Sequence, residues 1–237
     1  MDAPGCYETR HGGGQALATH RHARPYAALV VDGSHVEASV DGPILCEPGT
    51  LLLHPAFHAH GNTFGRFGAR VINLPLGSDI ALSGAVACTV PNLSEAREVM
   101  RSGDEHALRS LFGAAQGLQP AAPDWQAAFL SALRDSDEAA GTIAARLGVS
   151  AAHASRAFRR SHGMGPRALR LELRWRRALG LLGGPGSLAD VAAQAGFADQ
   201  SHFNRVVRTC SGLTPRRLRA QINYVQDVSG SRMAQSA

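Results

Sequence analysis

Residues 187–215 read SLADVAAQAGFADQSHFNRVVRTCSGLTP, and this stretch decides the fold of the C-terminal part of the chain. Ser187-Leu-Ala-Asp190 suits a capping box, in which each side chain accepts a hydrogen bond from the other residue's backbone N–H. Leu188, Val191 and Ala192 recur at helical spacing and form one apolar stripe. Gly196 takes the positive backbone angle that ends a helix, and Asp199 caps a second helix whose inward residues are Phe203, Val206 and Val207. The segment 142–166, TIAARLGVSAAHASRAFRRSHGMGP, follows the same plan. There Ile143, Ala144 and Leu147 make the first stripe, Gly148 stops the helix and Ser150 caps the next. Ala154, Ala157 and Phe158 then face inward. Thirteen positions separate Ser150 from Gly163 and Asp199 from Gly212, and each unit ends in Gly-x-x-Pro. The pattern predicts one helix-stop-helix unit used twice within an all-α domain over 124–223.

Working outward, 237 residues of which 44% are apolar supply cores for two folded units. The start, MDAPGCYETRHGGG, lacks the basic-then-apolar order of a signal peptide, and no apolar run reaches the roughly 20 residues of a membrane span. A cytoplasmic protein without a membrane partner is expected. Cys6, Cys46, Cys88 and Cys210 are scattered with no C-x-x-C pair and read as ordinary thiols. Every one of the 24 basic residues is arginine. Residues 125–222 hold 15 arginines against 6 acids, whereas the remainder holds 9 against 13. The basic part suits phosphate contacts; the acidic part is a poor nucleic-acid surface and a better sensor or dimerisation unit.

Residues 16–75 read as short strands, ALATHRH, YAALVV, HVEASV, TLLLHP and ARVINLP, punctuated by turns at Asp32-Gly33, Asp41-Gly42 and Pro48-Gly49. From Ser94 the pattern becomes helical, with acids opening SEAREVMRSG and DEHALRSLFGAAQGL. Gln119-Pro120-Ala121-Ala122-Pro123 breaks that pattern. The expected architecture is α+β with two domains: a β domain over 1–92, linker helices over 93–123, the all-α domain over 124–223 and a disordered tail over 224–237.

The repeated units resemble the DNA-binding domain of AraC/XylS transcriptional regulators, in which two helix-turn-helix units are joined by one long helix. The resemblance covers about 100 residues, and DVAAQAGFADQSHFNRVVRTCSGLTPRRLR is its most specific part. The joining helix would run from Pro166 to about Leu182, roughly 24 Å at the α-helical rise, so that the two second helices enter successive major grooves. Outward positions then face the DNA: Ala152, His153, Ser155 and Arg156 in the first unit, and Gln200, Ser201, Asn204 and Arg205 in the second. Arg156 and Arg205 suit guanine, Gln200 or Asn204 suits adenine, and His153 is equally a structural or phosphate-contacting residue. Arg159, Arg160, Arg208, Arg216 and Arg217 suit phosphates.

Seven of the eleven histidines fall within the first sixty residues. Gly14 with His20-Arg21-His22, followed by PGTLLLHPAFHAHGN from Pro48, resembles the two short motifs of cupin barrels, the sensing domain common in such regulators. On a strand, His20 and His22 share a face. With His60 or His58 they complete a three-nitrogen site for a divalent transition metal. Arg24, Pro25 and Tyr26 stand where cupins often carry a glutamate, so the four-ligand set is incomplete. Cys46 and His54 are further candidates, and an organic effector or a purely structural role stays open.

The resemblance implies a non-enzymatic, sequence-specific transcription regulator with a cupin-like β-barrel. No cofactor is required. Its implied partners are double-stranded DNA, a small-molecule or metal effector, the transcription machinery and a second copy in a homodimer. The competing reading is a metal-dependent cupin enzyme with an appended helical domain.

Overall fold

The computed structural model describes residues 5–77, 84–120 and 123–234, with backbone alone over 225–234. The N-terminal part contains β1 (Tyr7–His11), β2 (Ala16–His20), β3 (Tyr26–Ser39), β4 (Gly42–Cys46), β5 (Thr50–His54), β6 (His60–Pro75), β7 (Val86–Thr89) and β8 (Gln116–Gly117). They form one antiparallel sheet in the order β1-β6-β3-β5-β7-β8, with β2 beside β6 and β4 beside β3. β3 and β6 are its backbone, 14 and 16 residues long and paired with each other from Tyr26↔Pro75 to Ser39↔His60. Each takes two further partners along its length. β5 then β4 line β3, and β2 then β1 line β6. The sheet curls, but its path ends on β1 and β8, so the expected barrel is not closed among the described residues.

The apolar run at the start of β3 follows from burial on both faces of the sheet. Ala27, Leu29 and Val31 enter one core with Leu51, Ile72 and Leu74, while Ala28 and Val30 enter another with Leu52, Phe64 and Val71. Asp32-Gly33 is not the expected turn. The strand continues through it, with register shifts on either side, because Gly33 adopts φ 68° and a Cβ there would collide with the Gly68 carbonyl oxygen. β2 also ends earlier than the sequence suggests, at His20, leaving His22 beyond the strand.

The segment expected to link the domains belongs to the β domain. α1 (Leu93–Ser102) is capped by Asn92 and α2 (Glu105–Ala114) by Asp104. Ala96, Met100, Leu108 and Leu111 of these helices are buried in the core formed by Leu29, Leu51 and Ile72. The helical pattern stops at Ala114, and Gln116–Gly117 returns to the sheet beside β7. Ala121 and Ala122 of the expected break lie outside the described residues, as do residues 1–4 and 78–83 of the β domain.

The C-terminal part is helical: α3 (Asp124–Asp135), α4 (Ala140–Arg146), α5 (Ala151–His162), α6 (Pro166–Leu182), α7 (Leu188–Gln194), α8 (Gln200–Ser211) and α9 (Pro215–Ala234). α9 runs through most of the segment expected to be a disordered tail, and residues 235–237 lie outside the description. α6 is 17 residues, about 25 Å, with Pro166 in its first turn where the missing N–H is harmless. One end contributes Leu169 to a core with Phe129, Ile143, Ala154 and Phe158. The other contributes Trp175, Ala178 and Leu182 to a core with Val191, Phe203, Val207 and Leu218.

Both helical cores also receive residues from the β domain. Val40 and Ala59 enter the first and Phe57 enters the second. Arg21, between the two histidines after β2, pairs with both carboxylate oxygens of Glu172 on α6 and donates to the Phe57 carbonyl at 2.8 Å. Asp41 accepts from Arg176 at 2.7 Å. Arg21→Ala strands the buried Glu172 carboxylate. We expect it to lower stability by about 3 kcal/mol, the low end for breaking a buried pair because Arg21 keeps 24% of its side chain exposed. Arg146→Ala, which breaks a more open pair with Glu138, costs less than about 1 kcal/mol in the same chemical denaturation series.

His162, at the end of α5, is fully buried and its Nε2 has no hydrogen-bond partner. Burial pushes its pKa from 6.5 to about 4, with Asp41 opposing the shift. Unfolding therefore takes up a proton between these values, and stability falls as the pH is lowered from 6.5 towards 4. Above 6.5 this contribution is level. His162→Gln removes this group alone, so the fall in Tm over that window is shallower in the variant. Equal slopes in the two proteins would show that His162 does not titrate this way.

Candidate nucleic-acid interface and histidine cluster

Each of the two second helices is fixed at both ends. Ser150 accepts from the His153 N–H at 3.1 Å to start α5, and Asp199 accepts from the His202 N–H at 2.7 Å to start α8. Gly163 and Gly212 end them at φ 68° and 72°, angles that a side chain disfavours. The first helix of the second unit carries the complete capping box between Ser187 and Asp190. Gly148 and Gly196 supply the tight ends of α4 and α7 at φ 72° and 83°. The repeat read from the sequence is thus a repeat of backbone geometry.

The caps set which side chains face out. Ala154, Ala157 and Phe158 of α5 are buried, as are Phe203, Val206 and Val207 of α8. Ala152, His153, Arg156, Arg159 and Arg160 are exposed and Ser155 is half-buried. On α8, Gln200, Ser201, Arg205 and Arg208 are exposed and Asn204 is half-buried. Arg216 and Arg217 open α9 on the solvent side. The β domain meets α5 at its C-terminal end, where the Thr19 hydroxyl donates to the Gly163 carbonyl at 3.4 Å, and the outward positions just named remain exposed or half-buried. His153 has a second contact, its ring lying 5.6 Å from that of Trp125, which also packs on Phe129 and Phe158. That contact favours the structural alternative for His153.

At the other side of the domain contact five histidines converge. Two groups of three bring ring nitrogens within 4.8 Å of one another: His20, His22 and His60, and His54, His58 and His60. The first is the group expected from the sequence, assembled even though His22 lies beyond its strand. β2 places His20 directly across from His60, the first residue of β6, and the two rings are 4.5 Å apart. The second group was only half visible in sequence, where His58 stood as an alternative to His60 and His54 as a further candidate. Cys46 does not join either group; it is buried in an apolar core and burial raises its pKa.

The two groups differ in surroundings. His20 and His22 are half-buried, and His20 Nδ1 lies 2.9 Å from the Ala18 carbonyl, which leaves Nε2 for another partner. His54, His58 and His60 are buried, with exposures of 1%, 3% and 2%, which removes water as a partner. Tyr26, near where cupins often carry a glutamate, lies with its hydroxyl 2.9 Å from His60 Nε2. His60 Nδ1 is 3.3 Å from the His58 carbonyl. Burial, reinforced by the neighbouring histidines, pushes His60 down to about 3; burial pushes His58 to about 4 and His54 well below its ordinary value. Neutral imidazoles keep the lone pairs that a metal needs, so both groups fit a divalent transition ion by donor type. Tetrahedral zinc at about 2.0–2.1 Å would need nitrogens about 3.3 Å apart, a separation inside the 4.8 Å within which each group's nitrogens lie.

Sequence reasoning missed the residues that connect this cluster to the helices. Phe57 adopts φ 61°, the one non-glycine residue with a positive φ among the described residues, and its ring lies 6.2 Å from that of Trp175. Its flanking sequence, Pro55-Ala56-Phe57-His58, contains no residue that announces a left-handed position.

Comparison with known proteins bears on the helical part. The family profile described as a helix-turn-helix domain matches residues 143–221, which run from the first stripe of α4 into α9. No curated protein matches the chain in sequence. Among solved structures, ToxT from Vibrio cholerae O395 is 12% identical over 92% of this chain and 97% of its own, at a TM-score of 0.41. A transcriptional regulator with an AraC-type DNA-binding domain from Chromobacterium violaceum is 29% identical over 42% of this chain and 88% of its own, at 0.37. The C-terminal domain of AraT, a response regulator from Geobacillus stearothermophilus, is 22% identical over 42% and 86%, at 0.38. These superpositions are loose, and it is the profile match together with the duplicated geometry that identifies the domain. Among the described residues no helix is long and apolar enough to cross a membrane. Residues 143–221 are a helix-turn-helix domain in which both second helices, α5 and α8, lie.

Proposed function

We propose that α5 and α8 read base sequence in two successive major grooves and that the β domain controls this reading in response to an effector. The observation that carries the proposal is the division of each second helix into a buried apolar row and an uncovered polar row, in the half of the chain where arginine exceeds acid 15 to 6. Arg205 and Arg156 each present a planar fork suited to guanine O6 and N7, and Gln200 or Asn204 matches adenine. Ala152, Ser155 and Ser201 are short, and a short side chain brings the helix backbone near the base edges without adding a long-range donor. With Ala152 and Ser155 on α5, the second unit discriminates more than the first. Arg159, Arg160, Arg208, Arg216 and Arg217 hold phosphates and fix register.

The effector is a small molecule or a divalent transition metal taken up by the β domain, with His20, His22 and His60 as one candidate set. We further assign the working form as a homodimer, so that two pairs of reading helices address a repeated operator, and the bound protein acts on the transcription machinery. The protein needs no bound cofactor for DNA contact itself, since none of the reading side chains is fully buried.

Selection from random DNA followed by footprinting is expected to give a protected site with contacts on one face over about two helical turns per subunit. Arg205→Ala should lower discrimination at particular base pairs by about 1–3 kcal/mol and leave others unchanged. Arg208→Ala should instead weaken all sites alike and reduce the slope of log K against log salt by about 1. A uniform loss on removing Arg205 would reassign it to phosphate, and a full chain that ignored every sequence in the pool at low salt would end the reading.

A further inference from the structure

His54 and His58 each have both ring nitrogens buried without a hydrogen-bond partner. An imidazole removed from water with neither nitrogen satisfied is destabilising by about 1–3 kcal/mol for each unpaired group. Two such rings side by side, with a third at 2% exposure whose nitrogens lie within 4.8 Å of theirs, call for a shared partner. A divalent cation takes one nitrogen from each of His54 and His58 at once, with His60 as a third ligand within reach, which a single protein donor does not do.

We propose that His54, His58 and His60 hold one divalent transition metal ion of the zinc, cobalt, nickel or copper class, and that this ion sets the position of Phe57 against the DNA-binding domain. The donor set is all imidazole, which suits these ions and disfavours calcium and magnesium. Glu37 stands behind the ligands: its Oε2 lies 3.4 Å from His54 Nε2, out of hydrogen-bond alignment. Glu37 is itself held by the Asn62 side-chain amide at 3.4 Å. A carboxyl group behind a ligating imidazole is the usual device for orienting the ring. Ligation by His60 requires exchange of its bond to Tyr26 or to the His58 carbonyl, a requirement common to both histidine groups. The outer pair, His20 and His22, is half-buried with no buried orphan nitrogen, so it has less need of an ion.

The consequence follows from chain connectivity. His58 is the neighbour of Phe57, whose N–H donates to the His22 carbonyl at 2.7 Å and whose carbonyl accepts from Arg21. Phe57 is lodged in the helical core with Trp175, Val191 and Phe203, and Arg21 is paired with Glu172 on the same helix. An ion drawing His54, His58 and His60 together fixes the loop that carries Phe57, and so changes the seat of α6, the helix joining the two reading units. This consequence rests on the reading of the chain as a regulated DNA-binding protein, whereas the ion site does not.

The test uses the full chain stripped with a chelator and titrated with zinc in competition with a chromophoric chelator. We expect one zinc per chain, held within about tenfold of wild-type affinity by H20N/H22N and at least about 100-fold more weakly by H54N/H58N. In a Trp125→Phe background the emission of Trp175 should shift on zinc addition, and the shift should survive in H20N/H22N. If H54N/H58N fails to fold by circular dichroism, His58→Asn alone carries the comparison. Loss of binding in H20N/H22N with retention in H54N/H58N would overturn the inner site while leaving a metal-responsive β domain. Absence of zinc, cobalt and nickel binding in the wild-type chain would overturn it altogether, and DNA selection, which needs no ion, judges the regulator reading separately. Zinc binding with an unchanged Trp175 signal would overturn the coupling to α6.

Discussion

Trp175 sits where three parts of the molecule meet, and its burial constrains all of them. It lies on α6, its side chain is fully buried, and it packs with α7, α8 and α9 residues on one side and with Phe57 of the β domain on the other. A buried indole of this size contributes several kcal/mol that vanish if the surrounding helices separate. Because α6 also feeds Leu169 into the first helical core, the relative placement of α5 and α8 depends on one rigid rod. α6 is a rod of about 25 Å, and whatever holds one of its faces touches the helix that joins both units.

That face is held by charge as well as by apolar contact. Glu172 and Trp175 are three residues apart and so lie on the same side of α6. Glu172 receives Arg21 and Trp175 receives Phe57, and Arg21 binds the Phe57 carbonyl, so the two contacts form one unit. Buried ion pairs add little net stability but define one arrangement, since any other leaves a charge unpaired. Both elements that make this contact, the turn at His20–His22 and the loop at His54–His58, are the ones that carry the histidines.

The β domain owes its form to the length of β3 and β6. Strands of 14 and 16 residues twist too far to stay flat, and the bulges at Gly33 and the close approach at Gly68 let them bend instead of breaking. α1 and α2 then cover the apolar face with Met100, Leu108 and Leu111, so the pair of helices that looks like a linker is part of the core.

The sequence by itself determined the helical domain almost completely. Caps, glycine stops and apolar rows are local signals with a period of 3.6, and each acts within about fifteen residues; Ser150, Asp199, Gly163 and Gly212 do in the fold what their positions in the repeat imply. It also marked His20, His22 and His60 as a group, through a resemblance, but could not decide between His58 and His60 or place His54. Those choices depend on strand pairing between residues far apart in the chain, as when β2 sets His20 across from His60, and no local period encodes them. The same reason hid the bulge at Asp32-Gly33, the strand at Gln116–Gly117 and the Phe57–Trp175 and Arg21–Glu172 contacts. Tertiary structure alone decided that the histidines and the joining helix of the DNA-binding domain share one interface, because only packing brings residues 21 and 57 to residues 172 and 175.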